Sequence, residues 1–237
     1  MIHPLMVPRS YFQQVLPEEF VDAAFSFTAL HWLQHRPPVL DDDAKPYDLS
    51  LAANNDLVDF LSARHCELRA GGSLTLCIPA HGDVSVTPAL KCLQAVVREL
   101  SQVYRISPSV VTRIPLYFRT MDEILSAVSA SQGDWKIIGN SMVPIEHPAC
   151  LQTLDDTICP TTGASSYEAY ASASTGFNMA ALSGFLVEDV RQNMGNDYPG
   201  DVIFLKTLHL AFEREFLRSH IQEKVGFTYA FLHLQKA

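Results

Sequence analysis

The stretch Phe20-Val-Asp-Ala-Ala-Phe-Ser-Phe-Thr-Ala-Leu-His31-Trp32-Leu33 decides how the rest of the chain is read. Residues 20–26 form a short apolar run of strand-like composition that breaks directly into polar and aromatic side chains. In an open α/β sheet, ligands bind just beyond the carboxyl ends of the strands, which puts Ser26 to Trp32 where chemistry is usually done. Leu30-His31-Trp32 is therefore the first candidate site.

Upstream of it, Ser10 to Pro17 reads as one or two turns of helix closed by proline. Downstream, Pro37-Pro38 and Asp41-Asp42-Asp43 mark a solvated loop, the acidic triplet being read as surface rather than as a cation site. Leu51, Leu57, Val58, Leu61, Ala63 and Leu68 keep a helical rhythm over 51–69. That helix is expected to stop at Gly71-Gly72, with Arg64 and Arg69 towards its end as the dipole prefers. The buried strand 73–78 follows and carries His81-Gly-Asp83 on its carboxyl side, completing one βαβ crossover with strand 20–26.

Thr87-Pro88 opens a helix over 88–104, the proline sitting where its missing N–H costs nothing. Thr120-Met-Asp-Glu123 has the spacing of a capping box for a helix over 120–131, and a strand follows from Trp135 to about 143. Between about 146 and 178 the chain turns polar and small, which predicts a loop or lid joined to a helical cap over residues 145–200. Helices follow at about 178–194 and 201–221, and the Phe-, Tyr- and Thr-rich run 225–235 is a terminal strand. The expectation is one α/β domain, 1–237, with a half-sized sheet.

Composition narrows the function classes. With 48% hydrophobic and 18% charged residues over 237 positions, the chain can bury a substantial core. A formal net charge of -9 with no Lys/Arg cluster argues against nucleic acid as a partner. Apolar runs are strand-sized and the N-terminus has no signal-like segment, so a cytoplasmic protein without membrane contact is expected. The five cysteines, at 66, 77, 92, 150 and 159, are odd in number and lack any C-x-x-C pair. They read as buried free thiols rather than a disulfide framework or zinc site. His31 and His35 are four apart but have no Glu between them, so no metal is expected.

The order of these elements resembles the second half of a class I S-adenosylmethionine-dependent methyltransferase. Three groups of residues narrow the likeness. Ser10-Tyr11-Phe12 with Leu16-Pro17, then Ser26 to Leu30-His31-Trp32-Leu33, is similar to the G-S-F-Y…L-F-P…S-S-Y-S-L-H-W-L pattern of the plant carboxyl methyltransferases, the SABATH or type-7 family. Asp59-Phe60-Leu61…Arg64…Glu67-Leu68…Gly71-Gly72-Ser73-Leu74 resembles its D-F-L…R…E-L…G-G-x-M/L segment, and Pro115-Leu-Tyr117…Asp122-Glu123 its P-x-Y…E-E stretch. The likeness implies a Rossmann-like sheet with an antiparallel terminal strand. It assigns His31 and Trp32 to orienting the acceptor, and Ser10 and Tyr11, with Ser26 at the strand end, to the cofactor.

Methyl transfer from a sulfonium is an in-line displacement, and a carboxylate is already an anion at neutral pH. Such an enzyme mainly needs positioning and exclusion of water. For a phenol or alcohol acceptor, His31 would instead be the general base. The plain alternatives are a Trp and a His that only pack, and a Ser-Tyr pair that only caps a helix.

Where the family carries a D-x-F-N segment that provides metal ligands in some members, this chain has Val110-Val111-Thr112-Arg113, so no metal is assigned. Arg113 is either a partner for a substrate acid or a surface charge. The Gly-rich turn and acidic residue that hold the cofactor in the family are not found. The chain is accordingly expected to start past the cofactor-binding half, to bind S-adenosylmethionine weakly or not at all, and to leave strand 20–26 as a bare apolar edge. Two functions remain open: methylation of a carboxyl or hydroxyl group of a small-molecule acceptor in secondary metabolism, or a cofactor-independent, methyltransferase-like binding protein or cyclase. A homodimer is also left open.

Overall fold

The computed structural model describes residues 6–38, 47–147 and 166–237. Four strands form one sheet in the order β1-β2-β4-β3: β1 (Val21–Phe27), β2 (Leu68–Ala80), β3 (Trp135–Glu146) and β4 (Gly226–Lys236). β1 runs parallel to β2, whereas β4 lies antiparallel between β2 and β3. The terminal strand is thus antiparallel to its neighbours, as the sequence led us to expect. Leu76 pairs with Leu232 and Ile78 with Ala230, so the period-2 alternation of both strands places their aliphatic residues on a common face.

That face is covered by α1 (Leu49–Glu67) and α3 (Met121–Ala130). α1 starts at Asp48, whose carboxylate accepts from Leu51 N at 3.0 Å. α3 starts at a complete capping box: Thr120 Oγ1 accepts from Glu123 N at 3.2 Å and the Glu123 carboxylate accepts from Thr120 N at 2.8 Å. A second core joins α2 (Thr87–Tyr104), α4 (Ser166–Met194) and α5 (Asp201–Ser219) around Val96, Leu186, Phe204, Phe212 and Phe216. Pro88 sits in the first turn of α2. Among the described residues no helix is long and apolar enough to cross a membrane.

The structure departs from the sequence reading at four places. The first helix ends at Glu67, so Arg69 and the glycine pair belong to β2 rather than to a helix end. Leu68 is already paired with Val21, and the register then shifts before Ala23 pairs with Ser73. Gly71 has φ +76° and a Cβ on Gly72 would meet Arg69 O at 2.8 Å, so the two glycines make an irregularity in the strand edge rather than a turn before it.

Residues 10–17 form a turn, not a helix. The carbonyls of Tyr11 and Gln13 are taken by the buried Arg64 guanidinium at 2.9 and 2.8 Å, and Glu67 accepts from Val15 N at 2.6 Å. Part of the small, polar stretch expected as a loop, from Ser166 onward, belongs to α4. Thr175 donates to Ala171 O at 2.7 Å, so its hydroxyl is satisfied inside the helix, while fully buried Ala171 and Ser174 offer a low-profile packing face. Finally, Cys66 is exposed, whereas Cys77 and Cys92 are buried thiols; Cys150, Cys159 and the Asp41–Asp43 triplet lie outside the described residues.

Candidate functional site

β1 ends at Phe27 and the chain turns through Thr28, which holds φ +56°, into Leu30-His31-Trp32. A short strap fixes this turn. Trp32 forms an antiparallel bridge with Leu116, Tyr117 N donates to His31 O at 2.9 Å, and Leu33 N donates to Pro115 O at 2.8 Å. On its other side the strap joins the end of β2, where His81 N donates to Arg119 O at 2.9 Å. His31 and Trp32 are therefore held by backbone bonding to a segment far away in sequence.

Both side chains line a cavity of about 260 Å³ at the carboxyl ends of β1 and β2. Pro79, Phe227 and Tyr229 form its floor on the sheet, Phe118 comes from the strap, and Leu90 of α2 with Phe177, Asn178 and Leu182 of α4 close it from above. Its walls are mostly apolar and aromatic, and no charged side chain is among them.

The Trp32 ring lies 5.8 Å from Phe185, over which the Arg36 guanidinium sits at 5.5 Å, held in turn to Glu188 at 3.2 Å. The His31 ring lies 5.3 Å from Trp32 and 5.8 Å from Phe118, with Nδ1 buried and unpaired. Burial and then the nearby Arg119 guanidinium lower its pKa from 6.5 to about 4, so the imidazole is neutral at pH 7. Burial raises the Tyr229 phenol above its ordinary value, which keeps it a protonated donor. Asn178, almost fully buried, donates from Nδ2 to Ser174 O at 2.7 Å.

Of the residues singled out in sequence, His31 and Trp32 line the cavity together, whereas Ser10, Tyr11, Ser26 and Arg113 do not line it. Ser10 is exposed. Tyr11 donates to Ala29 O at 3.2 Å and packs its ring between Phe12 and Phe60. Ser26 pairs with Leu76 and alternates with Ala24 onto the face covered by α1 and α3. Through Ala29, Tyr11 is tied to the turn that leads from Ser26 to His31. Arg113, in a 3-10 turn (Val111–Arg113), donates from Nε to Pro37 O at 3.2 Å and does not line the cavity. Sequence reasoning missed Phe118, Phe177, Asn178, Phe227 and Tyr229. For the last two a signal existed, since alternate aromatic residues in a strand share one face.

No family model matches the chain. It is 30% identical over 208 residues to Methyltransferase FUS9 of Gibberella fujikuroi, covering 84% of this chain and 58% of that protein. To Methyltransferase FUS9 of Gibberella moniliformis it is 27% identical over 247 residues, covering 100% and 69%. To O-methyltransferase acrG of Aspergillus aculeatus it is 28% identical over 210 residues, covering 80% and 56%. The described fold superposes on a loganic acid methyltransferase solved with SAH at a TM-score of 0.68 and 17% identity, covering 97% of this chain and 65% of that one. The fold is that of a class I methyltransferase. The chain spans between 56% and 69% of the length of these curated relatives. These relatives are methyltransferases by name.

Proposed function

We propose that this chain binds and orients the acceptor in the S-adenosylmethionine-dependent methylation of a carboxyl or hydroxyl oxygen on an apolar small molecule of secondary metabolism, in the manner of the SABATH enzymes. The observation that carries this reading is the cavity itself. An aromatic enclosure at the strand ends presents two potential donors, Trp32 and His31, on an uncharged wall. The relative named an O-methyltransferase supports an oxygen acceptor.

The electrostatics favour a carboxyl over a hydroxyl acceptor. An imidazole lowered to about 4 is a poor base for a phenol or alcohol at neutral pH, where an effective general base has a pKa near the working pH. A carboxylate needs no base. Neutral donors such as the Trp32 indole N–H and the Tyr229 hydroxyl hold its oxygens without neutralising them, so one oxygen keeps its nucleophilic lone pair. The apolar walls exclude water, which strengthens those hydrogen bonds and leaves no competing nucleophile. S-adenosylmethionine, when bound, supplies the methyl group. Ser10, Tyr11 and Ser26 are the residues that the family resemblance offers it, and no step is assigned to them.

A second reading is a cofactor-independent protein that uses the same cavity for binding or cyclisation. Calorimetric titration with S-adenosylhomocysteine separates the two. Binding at micromolar concentrations by the purified chain supports the methyltransferase reading, and no binding supports the cofactor-independent one, since each charge-assisted contact to a ligand is worth about 1.5–3 kcal/mol. Methyl transfer to an apolar acid that is lost in Trp32→Ala, with folding retained, supports the methyltransferase reading. Retention of full turnover by Trp32→Ala would remove Trp32 from the acceptor site.

A further inference from the structure

Arg119 is 2% exposed, and among the described residues it forms no ion pair with a carboxylate. Its fork is spent on main chain: Nη1 donates to Leu30 O, and Nε at 3.2 Å and Nη2 both donate to Ala53 O of α1. Its own backbone is clasped to the end of β2 through the Ala80 bridge and the bond from His81 N. One side chain thus ties three elements at the point where β1 delivers His31 and Trp32 to the cavity. Burying a guanidinium among carbonyls is costly, and an aliphatic side chain would fill the same volume without that penalty. What an aliphatic chain cannot do is hold two carbonyls at a fixed separation, which needs the rigid planar fork of arginine.

We propose that Arg119 is a positioning residue for the acceptor site: its guanidinium ties the carbonyl of Leu30 to that of Ala53 and so fixes His31 and Trp32 against the cavity from behind. The proposal rests on the reading of His31 and Trp32 as acceptor-facing, but it is testable without any turnover. The cation has a second consequence. It is the charge that acts on the His31 imidazole, whose other neighbours are the rings of Trp32 and Phe118. The groups facing the cavity from Val86, from α2 (Leu90) and from α4 (Phe177, Asn178, Ala181 and Leu182) are uncharged. Asp56 on α1 and Glu123 on α3 act on Arg119 and are retained in every variant below.

The experiment is NMR of the full chain, reading the His31 ring titration and the Trp32 indole N–H resonance, the latter assigned with Trp135→Phe. In Arg119→Met the His31 midpoint is expected to rise above about 4 but to stay well below 6.5, because burial, the larger cause, remains, and the indole resonance is expected to shift and broaden. In Arg119→Lys the charge stays but the fork is lost. The His31 midpoint should then stay low while the indole resonance still moves. A merely structural arginine would lower thermal stability in both variants and leave the indole resonance where it is. A folded Arg119→Met with an unchanged indole resonance overturns the proposal. If Arg119→Met does not fold, Arg119→Lys decides through the indole resonance alone. With an acceptor in hand, both variants should lose kcat at least 10-fold with KM much less affected. Absence of methyl transfer in the parent chain, with the NMR shifts as expected, would sink the proposed function and leave the positioning role intact.

Discussion

Leu74, Leu76 and Ile78 of β2, with Leu232 and Leu234 of β4, are sealed under α1 and α3, whereas Phe25 and Phe27 of β1 stand 66% and 57% exposed. Phe25 pairs with Thr75 and Phe27 with Cys77, so the two phenylalanines, stacked 6.1 Å apart, lie on the opposite face of the same sheet. Apolar residues thus alternate onto both faces, yet among the described residues helices cover one face over β2 and β4 and the other chiefly at the carboxyl end of β2. There α2 and α4 meet Pro79, Phe227 and Tyr229, and the cavity forms at this limit of coverage. The comparison teaches that the site is placed by incomplete packing: helices that closed fully over the second face would leave no room for an acceptor. It also singles out β1, an edge strand in a partly parallel sheet with exposed aromatic residues, which folded proteins usually cover or pair.

The largest effect is expected where the covered side meets buried charge. Arg64 and Glu67 pair at 2.8 Å with little exposure, and Arg64→Met leaves Glu67 buried without its cation. That should cost about 3–5 kcal/mol in urea unfolding. On the exposed side, Arg69 and Asp22 pair at 3.0 Å in solvent, and Asp22→Asn should change stability by about 1 kcal/mol or less. A comparable loss at both pairs would erase the contrast.

Next in size is the apolar version of the same test. Leu76→Ala should cost about 2–5 kcal/mol through lost transfer energy and a residual cavity. Phe25→Ala should stay within about 0.5 kcal/mol and reduce self-association in sedimentation experiments. If Phe25→Ala instead destabilises as much as Leu76→Ala, the second face is covered in solution.

At the boundary between the faces, His31 should make stability pH-dependent. Its folded pKa, about 4, lies below the unfolded 6.5, so on acidification the unfolded chain takes up the proton first. The contribution is complete above pH 6.5 and is lost as the pH falls from 6.5 to 4, amounting to up to about 3 kcal/mol. Chemical unfolding of His31→Asn and the parent chain across that window should give curves that converge as the pH drops. Parallel curves would mean that the imidazole is not held neutral by its surroundings. The smallest of these effects is local to the covered side: Thr120→Ala removes one half of the capping box and should cost about 1 kcal/mol in the same unfolding assay.

What could be read from sequence and what could not divides by the range of the interactions involved. The capping box at Thr120–Glu123, the proline opening α2, the period-2 strands and the break from β1 into His31-Trp32 depend on residues within a few positions of one another. Their stereochemistry is dictated locally. The resemblance carried by those short patterns pointed to the fold that the structure has. Tertiary contacts decided the rest. Arg64 takes the carbonyls that residues 10–17 would need to form a helix, Leu68 leaves α1 because β1 offers it a partner, and the small residues from Ser166 on are helical because other helices pack against them. Likewise, Phe118, Asn178 and Tyr229 reach the cavity from three separate parts of the chain, and the Arg119 fork closes between Leu30 and Ala53 only once the sheet is assembled. Burial and the low His31 pKa that follows from it depend on those long-range contacts, which leave no pattern in any short window of sequence.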